Sequence, residues 1–308
     1  KIDPIEDSIH LDFGNIFHGV LEDYIDEPEV TDAMIETVKA RVLENSVSDA
    51  KTEHFMRELN TSIKKAFTII KKQHDRMQFK ITSLEETIEK VYDHQTVPVV
   101  LRGIIDKLLS FNEGLVKRFV IIDYKTGKST LDLNHAVYGM HAQLIYYVYL
   151  LKTKYQDAHI SGLFEQTVFM KTQNQVLPKS YEDLEEAYLN LQGVFENDTD
   201  ILSKIDRDIE SNSFIQGLRL KKNGELSKTN RSYEHDTLMK AMAHIETLIL
   251  GAIDDIFSLD FKINPIMDKQ KYISCEYCKF ADICFKKPHH ARKATLDQSI
   301  FDFVKEGE

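Results

Sequence analysis

The sequence predicts an α/β fold, and three observations predict it. Two β-branched runs, at 99–105 and 119–122, are separated by the turn residues Asn112, Glu113 and Gly114 and read as neighbouring strands of a hairpin. Longer stretches on either side carry apolar residues at helical spacing. Three cysteines, Cys275, Cys278 and Cys284, then fall close together near the C-terminus. No internal repeat or low-complexity linker interrupts the chain. Residues 1–264 therefore read as one domain and 265–308 as a cysteine-bearing appendix packed on it.

Taken in order, a helix is expected over 14–25, where Phe13, Ile16, Phe17, Val20, Leu21 and Tyr24 share a face. His18 sits one position from that stripe and by itself reads as a surface or hydrogen-bonded core histidine. Residues 31–46 and 52–79 hold Ala, Glu, Lys, Met and Leu with few breakers and read as two more helices. A strand is expected over 84–92. Its Glu85, Glu86 and Glu89 read as solvent-facing, with a third acid near a metal as the alternative. A helix is expected over 132–154, with Met140, Gln143, Leu144, Tyr147 and Leu151 on one face, and a strand over 160–169. A helix over 181–195, a basic loop or short hairpin over 216–231, and a long helix over 233–257 complete the domain.

Composition narrows the function. The 308 residues are 42% hydrophobic and 29% charged, ordinary for a globular protein. No apolar run reaches the roughly 18 residues of a membrane helix, and the start, KIDPIEDSIH, has no signal-peptide pattern. A cytoplasmic protein is expected, whose closely spaced cysteines bind metal rather than form disulfides. The net charge of −11 is the opposite of a nucleic-acid binder's basic footprint. Basic clusters exist at Lys64-Lys65 with Lys71-Lys72, at Lys221-Lys222 with Lys228 and Arg231, and from Lys286 to Lys293, and each reads first as a solvated face. If nucleic acid is the ligand, another polypeptide supplies most of the surface that binds it. Thr126-Gly127-Lys128-Ser129 looks like the end of a phosphate-binding loop. The earlier glycine of that pattern falls on Ile122, so no ATP site is expected there.

The chemistry gathers at the strand ends. One run leads to Asp106, the other to Asp123-Tyr124-Lys125. Side chains alternate along a strand, so Asp123 and Lys125 project to the same side. An acid and a lysine held together where a core gives way is costly to bury without a purpose. Gln143 on a largely apolar stripe also needs hydrogen-bond partners, either neighbouring backbone or a polar site.

Gly14-Asn15-Ile16-Phe17-His18, Gly103-Ile104-Ile105-Asp106, Ile122-Asp123-Tyr124-Lys125-Thr126-Gly127 and Gln143-Leu144-x-x-Tyr147 follow one another in this order. Together they resemble the core motifs of the RecB-like nuclease family of the PD-(D/E)xK superfamily. The resemblance runs from about residue 14 to residue 284. It implies a restriction-endonuclease-like core, a central mixed sheet of about four or five strands flanked by helices. It also implies Mg²⁺-dependent (or Mn²⁺-dependent) hydrolysis of DNA. His18, Asp106, Asp123 and the backbone carbonyl of Tyr124 would hold the metal. Lys125 would orient the attacking water or meet the developing charge, and Gln143 and Tyr147 would position the phosphate or Lys125.

The spacing C-x2-C-x5-C suits zinc or an iron–sulfur cluster, and zinc would recruit His289 or His290 as a fourth ligand. The pattern also resembles AddB-type subunits of bacterial helicase–nucleases, where a fourth Cys before the first helix completes a 4Fe–4S site. Here no Cys precedes the first helix, so the chain is expected to be a fragment that starts just after that ligand, with the cluster in the parent protein. The resemblance further implies an AddA-like helicase–nuclease partner and exonuclease action on single-stranded DNA in double-strand-break repair. Two rivals are a CRISPR-associated iron–sulfur exonuclease and a catalytically inactive nuclease-like scaffold.

Overall fold

A computed structural model of the chain describes residues 4–43, 50–127, 131–169, 187–227, 231–275 and 278–306. In chain order its elements are α1 (Pro4–Tyr24), α2 (Asp32–Val42), α3 (Ala50–Arg76), β1 (Lys80–His94), β2 (Val97–Glu113), β3 (Val116–Lys125), α4 (Leu133–Ala136), α5 (Gln143–Lys154), β4 (His159–Thr167) and β5 (Gln192–Glu196). There follow α6 (Thr199–Ile205), β6 (Ser232–Tyr233), α7 (His235–Phe257), β7 (Ile266–Asp268), β8 (Lys271–Tyr272), β9 (Arg292–Lys293) and α8 (Ile300–Glu306). The chain divides into two compact units, one of residues 1–90, 102–130 and 150–233, the other of 91–101, 131–149 and 234–308.

The first unit holds most of a six-stranded sheet in the order β1-β2-β3-β4-β5-β6. The sheet is mixed, as expected, with more strands than expected. β2 and β3 form the antiparallel hairpin, with Lys107 opposite Ile122 and a reversal at Gly114 (φ +60°). β4 then lies parallel to β3, which demands a long crossover; residues 126–158 supply it. Phe119 through Tyr124 are all buried, so β3 has two dry faces and reads as a continuous apolar run rather than an alternating one. On one of them α1 brings Phe13, Ile16 and Phe17 into a core with Val120, Ile122, Tyr124 and Phe164. α1 packs in turn on α2 and α3. Thr31 caps α2 by accepting from the Met34 amide (3.3 Å).

Two expected helices are corrected. The span 132–154 is not one helix: α4 ends at Ala136, and Gly139 (φ +79°) and His141 (φ +54°) turn the chain before α5 starts at Gln143. Met140 therefore lies off the helix that carries Gln143. Of the helix expected at 181–195, residues 181–186 lie outside the described residues, and from Gln192 the chain is strand β5. Gly193 is what seats that strand. A Cβ there would stand 2.0 Å from the Leu163 carbonyl oxygen. Within 216–231 the short-hairpin alternative is realised as a bridge between Leu220 and Leu226 around Gly224 (φ +80°).

A buried polar knot ties β5 to its neighbours. Arg118 Nη1 donates to Glu196 Oε2 (2.6 Å), His159 Nε2 lies 2.5 Å from Glu196 Oε1, and Ser161 Oγ donates to Oε2 (3.2 Å). Burial pushes the Glu196 carboxyl up, but the His159 bond, the His159 and Arg118 charges and the Ser161 bond together hold it below its ordinary value. A depressed folded pKa contributes stability that is present above the unfolded value and lost as pH falls. Glu196→Ala should therefore cost about 3 kcal/mol at pH 7, because it strands a buried guanidinium. The gap from wild type should narrow below about pH 4, where the wild-type carboxylate also protonates. Urea unfolding at pH 7 and at pH 3.5 checks both halves.

The second unit is built on α7, which buries Leu238, Ala241, Ile245 and Ile253. α8 adds Ile300 and Phe301, and His244 Nε2 donates to the Val137 carbonyl (2.8 Å). A small sheet in the order β8-β7-β9 frames the cysteine segment. Among the described residues no helix is long and apolar enough to cross a membrane.

Candidate active site

The site forms at the C-terminal end of β3, in the first unit. Asp123 is 2% exposed and its Oδ2 lies 2.5 Å from Lys125 Nζ, so the alternation of the strand does place the acid and the lysine on one side. Parallel pairing sets Glu165 of β4 opposite Asp123. Burial pushes the Asp123 carboxyl up. The Lys125 charge and hydrogen bond pull it back, the Glu165 charge pushes again, and the net is a raised pKa.

Asp106 sits mid-way along β2 rather than at a strand end, because β2 runs on to Glu113. Its Oδ2 accepts from the Tyr124 amide N–H (2.6 Å). Burial pushes its carboxyl up to about 7, against the pull of the His18 charge and with the push of Asp123. His18, on α1, donates from Nδ1 to Glu85 Oε1 (2.6 Å), and its Nε2 lies 3.8 Å from Asp106 Oδ2. Burial would lower the imidazole pKa, but the Glu85 bond and the Asp106, Glu85 and Asp123 charges outweigh it, and the net is a rise.

Glu85 was expected to face solvent and does not. Its φ of +48° breaks the alternation of β1 and turns its carboxylate onto His18. A left-handed backbone at a non-glycine residue is uncommon and gathers at functional sites. Of its neighbours, Glu86 pairs with Lys154, and Glu89 is exposed near Arg102 (3.7 Å).

His18, Glu85 and Asp106 each offer a ligand atom within 4.8 Å of the others, and among the described residues no other group of three or more His, Cys, Asp or Glu does so. Asp123 stands outside that group, its carboxylate turned to Lys125. Hard carboxylate oxygens with one imidazole suit Mg²⁺ or Mn²⁺. The raised carboxyl pKa values carry the same message: negative charge is held in a dry place without enough positive charge to balance it, and a divalent cation would supply the balance. The residues fit the ion.

Gln143 is the first residue of α5, and its Nε2 donates to the Tyr147 hydroxyl one turn on (2.7 Å). Both belong to the second unit. In that unit Cys275 and Cys284 are half-buried, Cys278 is exposed, and all three are free thiols. A tetrahedral zinc with Zn–S of about 2.3 Å would hold its sulfurs within about 4 Å of one another. These three do not lie within 4.8 Å together, with or without His289 or His290, so they are not pre-arranged as a zinc site. Three thiols remain a donor set for an iron–sulfur cluster.

Besides Glu85, two charged residues of the sheet escaped the sequence reading: Glu165 and Lys107, 5% and 1% exposed. Each is a lone charge inside an apolar run, in IIDKLLSF and GLFEQTVF, and that is a usable signal.

A family model described as the PD-(D/E)XK nuclease superfamily matches residues 2–285. Curated proteins named as subunits of an ATP-dependent helicase/deoxyribonuclease are similar. That of Alkaliphilus oremlandii is 28% identical over 207 residues, covering 65% of this chain and 17% of its own length. That of Staphylococcus carnosus is 24% identical, covering 94% and 29%, and that of Clostridium acetobutylicum 23% identical, covering 89% and 26%. The chain thus spans less than a third of the curated relatives it matches.

Proposed function

Because this chain belongs to the PD-(D/E)XK nuclease superfamily, we propose that it hydrolyses DNA phosphodiesters with a divalent cation, Mg²⁺ or Mn²⁺. The observation that carries this is the convergence of His18, Glu85 and Asp106 beside the Asp123–Lys125 pair. His18, Asp106, Asp123 and the Tyr124 carbonyl are the proposed ligands. Glu85 fixes the imidazole by taking its Nδ1 proton, which leaves Nε2 toward Asp106.

A cation held there would supply Lewis acidity at the scissile phosphate and a lowered pKa for an adjacent water. Lys125 places an ammonium at the strand end, where it can align that water or donate to the charge that develops on phosphate. Asp123 keeps the ammonium in place. Asp106 binds a proton when no cation is present, so cation uptake releases it and weakens below about pH 7. Gln143 and Tyr147, already bonded to each other, are proposed to position the phosphate.

The names of the relatives extend the proposal. The chain acts as the nuclease part of a helicase–nuclease subunit in the cytoplasm, with a helicase partner that delivers single-stranded DNA to an exonuclease in break repair. Cys275, Cys278 and Cys284 hold a 4Fe–4S cluster with a fourth ligand from elsewhere in the parent protein. The partner supplies the basic surface that a chain of net charge −11 lacks.

Labelled single- and double-stranded oligonucleotides, incubated with Mg²⁺, Mn²⁺, Ca²⁺ or EDTA, test the core of this proposal. Cleavage is expected with Mg²⁺ and Mn²⁺ and not in EDTA. Cleavage that persists in EDTA, or a folded chain inert with every ion, would overturn it.

A further inference from the structure

Directly after Asp106, β2 buries a lysine. Lys107 is 1% exposed, and burial alone brings its ammonium down to about 7. Its Nζ donates to the Tyr124 hydroxyl (3.0 Å) and lies 5.7 Å from the centre of the same ring. Among the described residues it makes no ion pair. An ammonium without a carboxylate partner in a dry sheet is expensive, and a leucine or methionine would fill the space without that cost. The hydrogen bond to Tyr124 is what the apolar residues could not make.

Tyr124 is where the site's elements meet. Its ring stands edge-on to Phe17 (5.4 Å, 75°) and to His18 (6.0 Å, 77°), both on α1. Its backbone N–H holds Asp106 Oδ2, and its chain neighbours are Asp123 and Lys125. The ring that Lys107 anchors is therefore a wall of the His18 position, and the backbone of the same residue sets the Asp106 carboxylate.

We propose that Lys107 is a positioning residue for the cation site: its bond to the Tyr124 hydroxyl fixes the ring that packs on His18 and the amide that holds Asp106. It touches neither ion nor DNA. Its effect reaches the site through Tyr124, as partners behind a metal ligand do. The inference rests on reading His18 and Asp106 as cation ligands.

Mn²⁺ binding by calorimetry, in the absence of DNA, is the test. Lys107→Met is expected to raise the Mn²⁺ Kd about 10- to 100-fold. Tyr124→Phe, which removes only the hydroxyl, should reproduce most of that loss. The double variant should be no worse than Lys107→Met, because both changes delete one bond. Leu109→Ala is the control, a buried change further along β2 that should lower Tm and leave the Mn²⁺ Kd alone. If Lys107→Met does not fold, Tyr124→Phe carries the test. Wild-type Mn²⁺ affinity in both single variants, or additive losses in the double, would overturn the inference and leave the cation site standing. A folded wild type that binds no Mn²⁺ would overturn the cation site and the inference with it.

Discussion

Asp123→Ala is expected to abolish DNA cleavage and to remove most divalent-ion binding, with the fold intact. The carboxylate is 2% exposed, sits opposite Glu165 and has a raised pKa. An acid whose folded pKa is raised lowers stability at pH 7, because its charged form is worse off in the fold than in the unfolded chain. Removing it therefore does not take away a prop of the structure. It takes away a hard ligand and the anion that places Lys125, and both losses fall on the chemistry. Cleavage should drop to background, the Mn²⁺ isotherm should flatten, and circular dichroism and Tm should stay near wild type. A variant that still cut DNA at the normal rate would show that the site lies elsewhere. His18→Ala should be milder in metal affinity, since a neutral imidazole is one donor among several.

Lys125→Met should separate binding from chemistry. Methionine keeps the aliphatic stem and loses the charge. The Asp123 carboxylate, freed of a cation 2.5 Å away, becomes a better ligand, so Mn²⁺ should bind as well as in wild type or more tightly. Single-turnover cleavage at saturating ion should nevertheless fall by about two to four orders of magnitude, the range for a positioned charge or acid–base group. Weaker ion binding with unchanged chemistry at saturation would rule out the proposed role. The two variants together predict a crossing pattern: one loses the ion and hence the reaction, the other keeps the ion and loses the reaction.

How far the site could be read in advance depended on distance along the chain. Asp123 and Lys125 are two residues apart on one strand, and strand periodicity alone puts them side by side. Asp106 lies just across the hairpin, so its closeness followed from the turn. His18 is different. By itself it looked like an ordinary helix histidine, and only its place in a run of motifs marked it. Glu85 was missed because its left-handed φ cancels the alternation from which its direction was judged. The same kind of backbone reversal, at Gly139 and His141, split the helix expected over 132–154.

Local pattern therefore determined the α/β class, the paired strands, the acid and lysine on one strand face and the cysteine spacing. These depend on which residues are apolar and how often they recur, and neighbouring residues suffice to encode that. Tertiary structure alone decided that Glu85 reaches His18 across 67 positions of chain, that Asp106 is held by the Tyr124 amide, and that Lys107 is buried with one hydroxyl for company. Such contacts form only when α1 packs onto the finished sheet. They depend on the sum of many apolar contacts elsewhere in the core, and no short window of sequence contains that sum.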